Sequence, residues 1–202
     1  MKLIQKIKKH EMLRRWAIAE VHVEYLNSIN EAPAQETLRL LYSKDPIMEG
    51  KGIKRSLKMH HLSLVDCLPS DVVWYLARLE LKKSEFDQLY TLPVFDLAQI
   101  TNNTYKVSYA AKITQQKPLL NPRISAISEA FKSDPKSVQL SGMIVLAQGI
   151  DGPYTIIEGN GRLISLYSFL FLDENSFPLN DPIEVVIGFS DAKFKIDYKY
   201  LD

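Results

Sequence analysis

The string Glu158-Gly159-Asn160-Gly161-Arg162 holds the residues of this 202-residue chain whose types and spacing best suit chemistry. An apolar run, Tyr154 to Ile157, leads into it and another, Leu163 to Leu172, leads out. A strand is therefore expected to turn within a few residues into a helix. Two glycines permit positive φ and close approach of a ligand to the backbone. The first amides of a helix have no intrahelical partner, and the helix dipole adds positive potential there. Arg162 adds a planar, permanent charge suited to phosphate. Gly159, Asn160, Gly161 and Arg162 are thus expected to form an anion site, most naturally for phosphate. Glu158 beside them could coordinate Mg²⁺ or act as a general base. Asn160 could cap the helix or bond a ligand oxygen. Arg123, opening an earlier helix, could bring its charge to the same pocket. The string equally suits a plain strand-to-helix connection, with Asn160 as N-cap and Arg162 in solvent.

The elements that must position this turn follow from charge, glycine and apolar spacing. Residues 1–60 hold 12 Lys/Arg and 7 Asp/Glu, whereas residues 61–202 hold 13 and 17; six of the eight glycines lie between Gly142 and Gly188. A mostly helical region over 1–92 is expected to pack on an α/β domain over 93–202. In the front part, helices are expected over Glu11–Leu26 and Pro33–Leu41, with an exposed basic loop over Lys44–Lys58. Ser70 should cap a helix carrying Val72, Leu76, Leu79 and Glu80, and Ser84 a shorter one through Tyr90. Strands are expected at Val94–Leu97 and Tyr105–Ser108, and a turn at Thr101–Thr104. Pro122 and Arg123 should open a helix that runs through Phe131 and stops at Asp134-Pro135. A hairpin of Met143–Ala147 and Tyr154–Ile157 should close through Gly149–Pro153. A helix over Leu163–Leu172, a loop from Phe177 to Pro182 and a strand over Ile183–Gly188 complete the reading.

The hairpin, the turn, the helix and the following strand resemble the ParB/sulfiredoxin superfamily. Its members carry a hydrophobic-Asp/Glu-Gly-X-X-Arg turn, matched here by Ile157, Glu158, Gly159 and Arg162. The helix at Asn121-Pro122-Arg123 and the run Ser137–Leu146 match the family's lead-in, so the resemblance covers roughly residues 93–190. It implies an α+β fold, a small mixed sheet of the ParB/sulfiredoxin type with an N-terminal helical extension. It also implies phosphate, usually of a nucleotide, held at this turn by Arg162. An enzyme built this way would hydrolyse a nucleotide or transfer a phosphoryl group with Mg²⁺, Glu158 holding the metal or activating the nucleophile. A non-catalytic module for nucleic acid or a protein partner is the alternative. Sulfiredoxins place a catalytic cysteine in the turn, where this chain has Asn160, so peroxiredoxin repair is not expected. About 40 residues follow the turn, so no helix-turn-helix domain of the ParB kind is expected after it. Glu158–Arg162 also resembles the end of the Fic motif of AMP-transferring enzymes. Tyr154 and Ile156 stand where that family has His and Phe, and its motif follows a helix.

Composition bounds the remaining classes. Hydrophobic residues at 46% and charged residues at 24% exclude a disordered or collagen-like chain. A net charge of +1 excludes a whole-molecule basic field for nucleic acid, although Lys2–Arg15 and Lys44–Lys58 could contact phosphates locally. Cys67 is the only cysteine, so neither an internal disulfide nor a thiolate zinc site can form. The basic N-terminus lacks an apolar signal core, no run is long enough to span a membrane, and a cytoplasmic location is expected. The adjacent His60 and His61 lack the spacing of a helical metal pair. Tyr105, Tyr109, Tyr198 and Tyr200 are expected to pack against the sheet.

Overall fold

The computed structural model describes residues 1–22, 31–57, 62–176, 182–192 and 194. The chain opens on a strand, β1 (Lys2–Ile7), exposed along most of its length. Helix α1 (Lys9–Glu20) then buries Met12, Trp16, Ala17 and Ala19. It packs with α2 (Glu31–Leu41) and α3 (Pro46–Leu57), which also pack on each other. A short helix, α4 (Leu62–Asp66), leads to β2 (Val73–Leu79), α5 (Lys83–Phe86) and β3 (Leu89–Tyr90). Then come α6 (Phe95–Thr101), α7 (Val107–Gln116) and α8 (Pro122–Ser133). The chain continues through β4 (Met143–Ala147), β5 (Tyr154–Glu158) and α9 (Asn160–Tyr167), whose helical path widens over Ser168–Leu172, and ends its sheet with β6 (Ile183–Phe189).

The fold is α+β, and its six strands form one open mixed sheet in the order β1-β2-β6-β4-β5-β3. β4 and β6 run parallel at the centre, with Val145 opposite Ile187. Every residue of β4 is buried, the pattern of a strand covered on both faces. β2 pairs antiparallel with both β1 and β6, whereas β3 pairs parallel with β5. Residues before and after position 92 therefore hydrogen-bond within the same sheet. Helices α6 to α9 pack in sequence, and α9 packs on both α7 and α8.

Several local expectations are corrected. Val72–Glu80 is not a helix: Val73–Leu79 is β2, because Val73, Trp74 and Tyr75 suit a pleated surface and two neighbouring strands complete their ladders. Lys44–Lys58 is not a loop but contains α3. The Asp45 carboxylate accepts from the Ile47 N–H at 2.8 Å, and Gly52 admits Leu41, whose Cγ would lie 2.9 Å from an added Cβ. Val94–Leu97 and Tyr105–Ser108 are not strands. They begin α6 and α7, where Val107, Ala110, Ala111 and Thr114 share one buried helical face. The helix expected through Tyr90 stops at Phe86, and Leu89–Tyr90 joins the sheet. Thr101–Thr104 does turn, through left-handed Asn102 and Asn103. α8, the β4–β5 hairpin, the helix after the turn and β6 lie where the sequence places them. His60, His61, Tyr198, Tyr200 and most of Phe177–Pro182 lie outside the described residues.

Candidate functional site

Five residues of the turn carry distinct structural demands. Glu158 ends β5 opposite Ile144 of β4. Gly159 then adopts φ +96°, a left-handed conformation, and an added Cβ would lie 2.7 Å from Met143 Cγ. Conformation and space both demand glycine there. The helix closes its first turn with Leu163 N–H donating to Gly159 O at 2.9 Å. The amides of Asn160, Gly161 and Arg162 stand at the start of α9, where a helix supplies no internal acceptor.

Arg162 does not reach solvent; it is 6% exposed. Its Nη1 donates to Ser141 O at 2.6 Å and to Gln139 O at 3.0 Å. Its Nη2 donates to Glu158 Oε1 at 3.3 Å, and the same oxygen accepts from Gly159 N–H at 2.7 Å. The two charged residues of the string are thus joined, one helical turn apart, and Arg162 ties the turn to the segment entering β4. Asn160 is not the N-cap, a position Gly159 takes. Its Oδ1 accepts instead from Leu92 N–H at 3.1 Å, holding the chain after β3 against the turn. Gly161 faces protein: an added Cβ would meet Ile127 Cδ1 at 3.1 Å and Ile124 Cγ1 at 3.6 Å. That approach places the start of α8 beside the start of α9. Arg123 is exposed on the first turn of α8, next to buried Ile124.

Sequence reasoning missed several residues that build this corner. Ser165 Oγ donates to Ile124 O at 3.0 Å and accepts from Ser128 Oγ at 3.0 Å, pinning α8 to α9. Serines inside an apolar helix gave no pattern by which to find them. Thr91, next to Leu92, is 1% exposed and its hydroxyl has no hydrogen-bond partner. A buried hydroxyl left this way is uncommon in a folded protein. Elsewhere, a cavity of about 290 Å³ at the carboxyl ends of β4 and β6 is lined by Leu146, Gln148, Thr155, Ser190 and Phe194, and by none of the turn residues. Among the described residues, no group of three or more His, Cys, Asp or Glu side chains is arranged to hold a metal. Among them, too, no helix is long and apolar enough to cross a membrane.

Compared with family models, curated proteins and solved structures, the chain has no significant match.

Proposed function

We propose that the chain is a ParB/sulfiredoxin-like module that binds a phosphate-bearing ligand, a nucleotide first among them, at the β5–α9 turn. The observation that carries this reading is the start of α9. Left-handed Gly159 swings the chain out of the sheet, so that three successive amides stand at a helix N-terminus without internal acceptors. The order α8, β4, β5, turn, α9, β6 is the order the family resemblance implies. Strand β5 ahead of the turn favours this family over a Fic-like arrangement, whose motif follows a helix. The orphan hydroxyl of Thr91, beside the residue held by Asn160, is a further polar group that a ligand could complete.

Binding rather than turnover is what the donor set supports best. Glu158 is the one carboxylate of the string, and its Oε1 already accepts from Gly159 and Arg162. That set does not fit a Mg²⁺ site of its own. Arg162 orders the turn from behind, while the helix amides offer the N–H donors. Arg123, exposed on the first turn of α8, would add positive charge near a phosphate bound at the turn. Titrating the ¹⁵N-labelled chain with the four nucleoside triphosphates and diphosphates tests this. Displacement of the Asn160, Gly161 and Arg162 amide resonances is expected for at least one nucleotide. Resonances there that ignore every nucleotide at millimolar concentration would overturn it.

A further inference from the structure

We propose a second phosphate site, separate from the turn, in the cleft between α1 and residues 139–142, with a nucleoside monophosphate as the class of ligand. The cleft encloses about 250 Å³, and Arg14, Arg15, His22, Tyr42, Gln139 and Ser141 line it. Two guanidinium groups and an imidazole are among the lining side chains, and among the described residues no carboxylate lines it. A small concave site rich in fixed N–H donors is suited to a phosphate dianion.

The arginines are held for this from behind. Glu11 Oε1 accepts from Arg15 Nε at 2.7 Å and from Arg14 Nη2 at 3.0 Å, while its Oε2 accepts from Arg14 Nε at 2.9 Å. Burial pushes the Glu11 carboxyl up, but the hydrogen bonds from Arg14 and Arg15 outweigh it and hold the group below its ordinary 4.5. One charged carboxylate outside the cleft therefore orients two guanidinium forks. Arg14 Nη1 makes only a 3.4 Å bond to Leu41 O, and Arg15 Nη1 pairs with Glu184, which is half exposed. Each guanidinium carries five donors, so both keep N–H groups for a ligand. Glu49 Oε2 lies at hydrogen-bond distance, 2.7 Å, from His10 Nε2, the donor being set by the imidazole tautomer, and its Oε1 lies 4.0 Å from Arg14 Nε, a looser pair than the bonds to Glu11.

The facing wall is equally fixed. Arg162 holds the carbonyls of Gln139 and Ser141, and Gln139 Nε2 donates to Ser141 Oγ at 2.6 Å. Gly142, at φ +69°, lets this wall lie on α1, since an added Cβ would clash with Ala19 Cβ. Tyr42, 56% exposed at the mouth, offers a ring face for a base. Polar groups positioned before the ligand arrives lose little on binding it. This site goes beyond the turn reading and does not rest on it.

The test titrates the full-length chain with inorganic phosphate and, separately, adenosine monophosphate, at low ionic strength. Calorimetry reads affinity and amide resonances read location. Shifts are expected at Arg15, His22, Ser141 and Gly142, with affinity falling about tenfold or more in Arg15→Gln. Tyr42→Ala should weaken adenosine monophosphate and leave inorganic phosphate unchanged. Arg15→Lys, which keeps the charge and loses the fork, serves if Arg15→Gln fails to fold, and should also bind more weakly. Binding unaltered in the Arg15 variants, shifts confined to Asn160–Arg162, or no binding of either compound would each overturn the proposal. Binding at the turn is reported independently by the amides of Asn160, Gly161 and Arg162.

Discussion

Gly159 and Arg162 show how a short string can be structural and still shape a site. At Gly159, a methyl group would force a left-handed non-glycine residue and a clash with Met143 Cγ. Gly159→Ala should therefore cost about 2–4 kcal/mol in urea denaturation, from the two effects together. Shortening Met143 to alanine should restore only the packing part. At Arg162, removing the guanidinium would orphan two carbonyls and take from Glu158 the buried ion pair the two residues share. Arg162→Met should destabilise by about 3 kcal/mol, as breaking a largely buried pair does. A loss of ligand binding in that variant thus reports the wall and the turn as much as any direct contact. The candidate residues were legible as types and spacing. Their partners were not, because Gln139, Ser141 and Leu92 engage the turn through main-chain atoms, which any residue type provides.

The elements divide by where their ordering comes from. α8 is written locally: Asn121 Oδ1 caps it by accepting from Ile124 N–H at 3.1 Å, Pro122 fits the first turn, and Ile124 and Phe131 are its buried residues. Asn121→Ala should lower the unfolding free energy by about 1 kcal/mol, read from the denaturation midpoint. An unchanged midpoint would mean the neighbouring helices, rather than the cap, set this helix start. The central strand β4 and the Val185–Ile187 stretch of β6 were equally readable, since strands covered on both faces are continuous apolar runs. β2 was not readable. Its residues Val73, Leu76 and Leu79 satisfy helical spacing, the run is apolar on both strand faces apart from Arg78, and only pairing with β1 and β6 decides. α3 and α7 failed for the opposite reason. Gly50 and Gly52 suggested a loop, and Tyr105 with Val107 suggested a strand, yet tertiary packing on Leu41 and on α9 stabilises helix in both places.

For the whole molecule, the sheet decides how far residues 93–202 can stand alone. Residues before that point supply β1, β2 and β3, three of the six strands, together with the buried Trp74, Leu76, Leu79, Phe86 and Leu89. Without β2, central β6 would become an edge, leaving unpaired the backbone groups that now bond along Ile183–Phe189. Without β3 and the residues after it, Asn160 would lose Leu92. The front also carries the excess of positive charge and the back the excess of negative, and Arg15 pairs with Glu184 across that division. Residues 93–202 expressed alone should therefore show no cooperative thermal transition by circular dichroism and should bind an exposed-surface dye such as ANS. Adding residues 1–92 as a separate chain should restore a transition if the missing strands are what the fragment lacks. A sigmoidal melt of the isolated fragment would instead establish it as an independent folding unit, with the front strands an addition to a complete core.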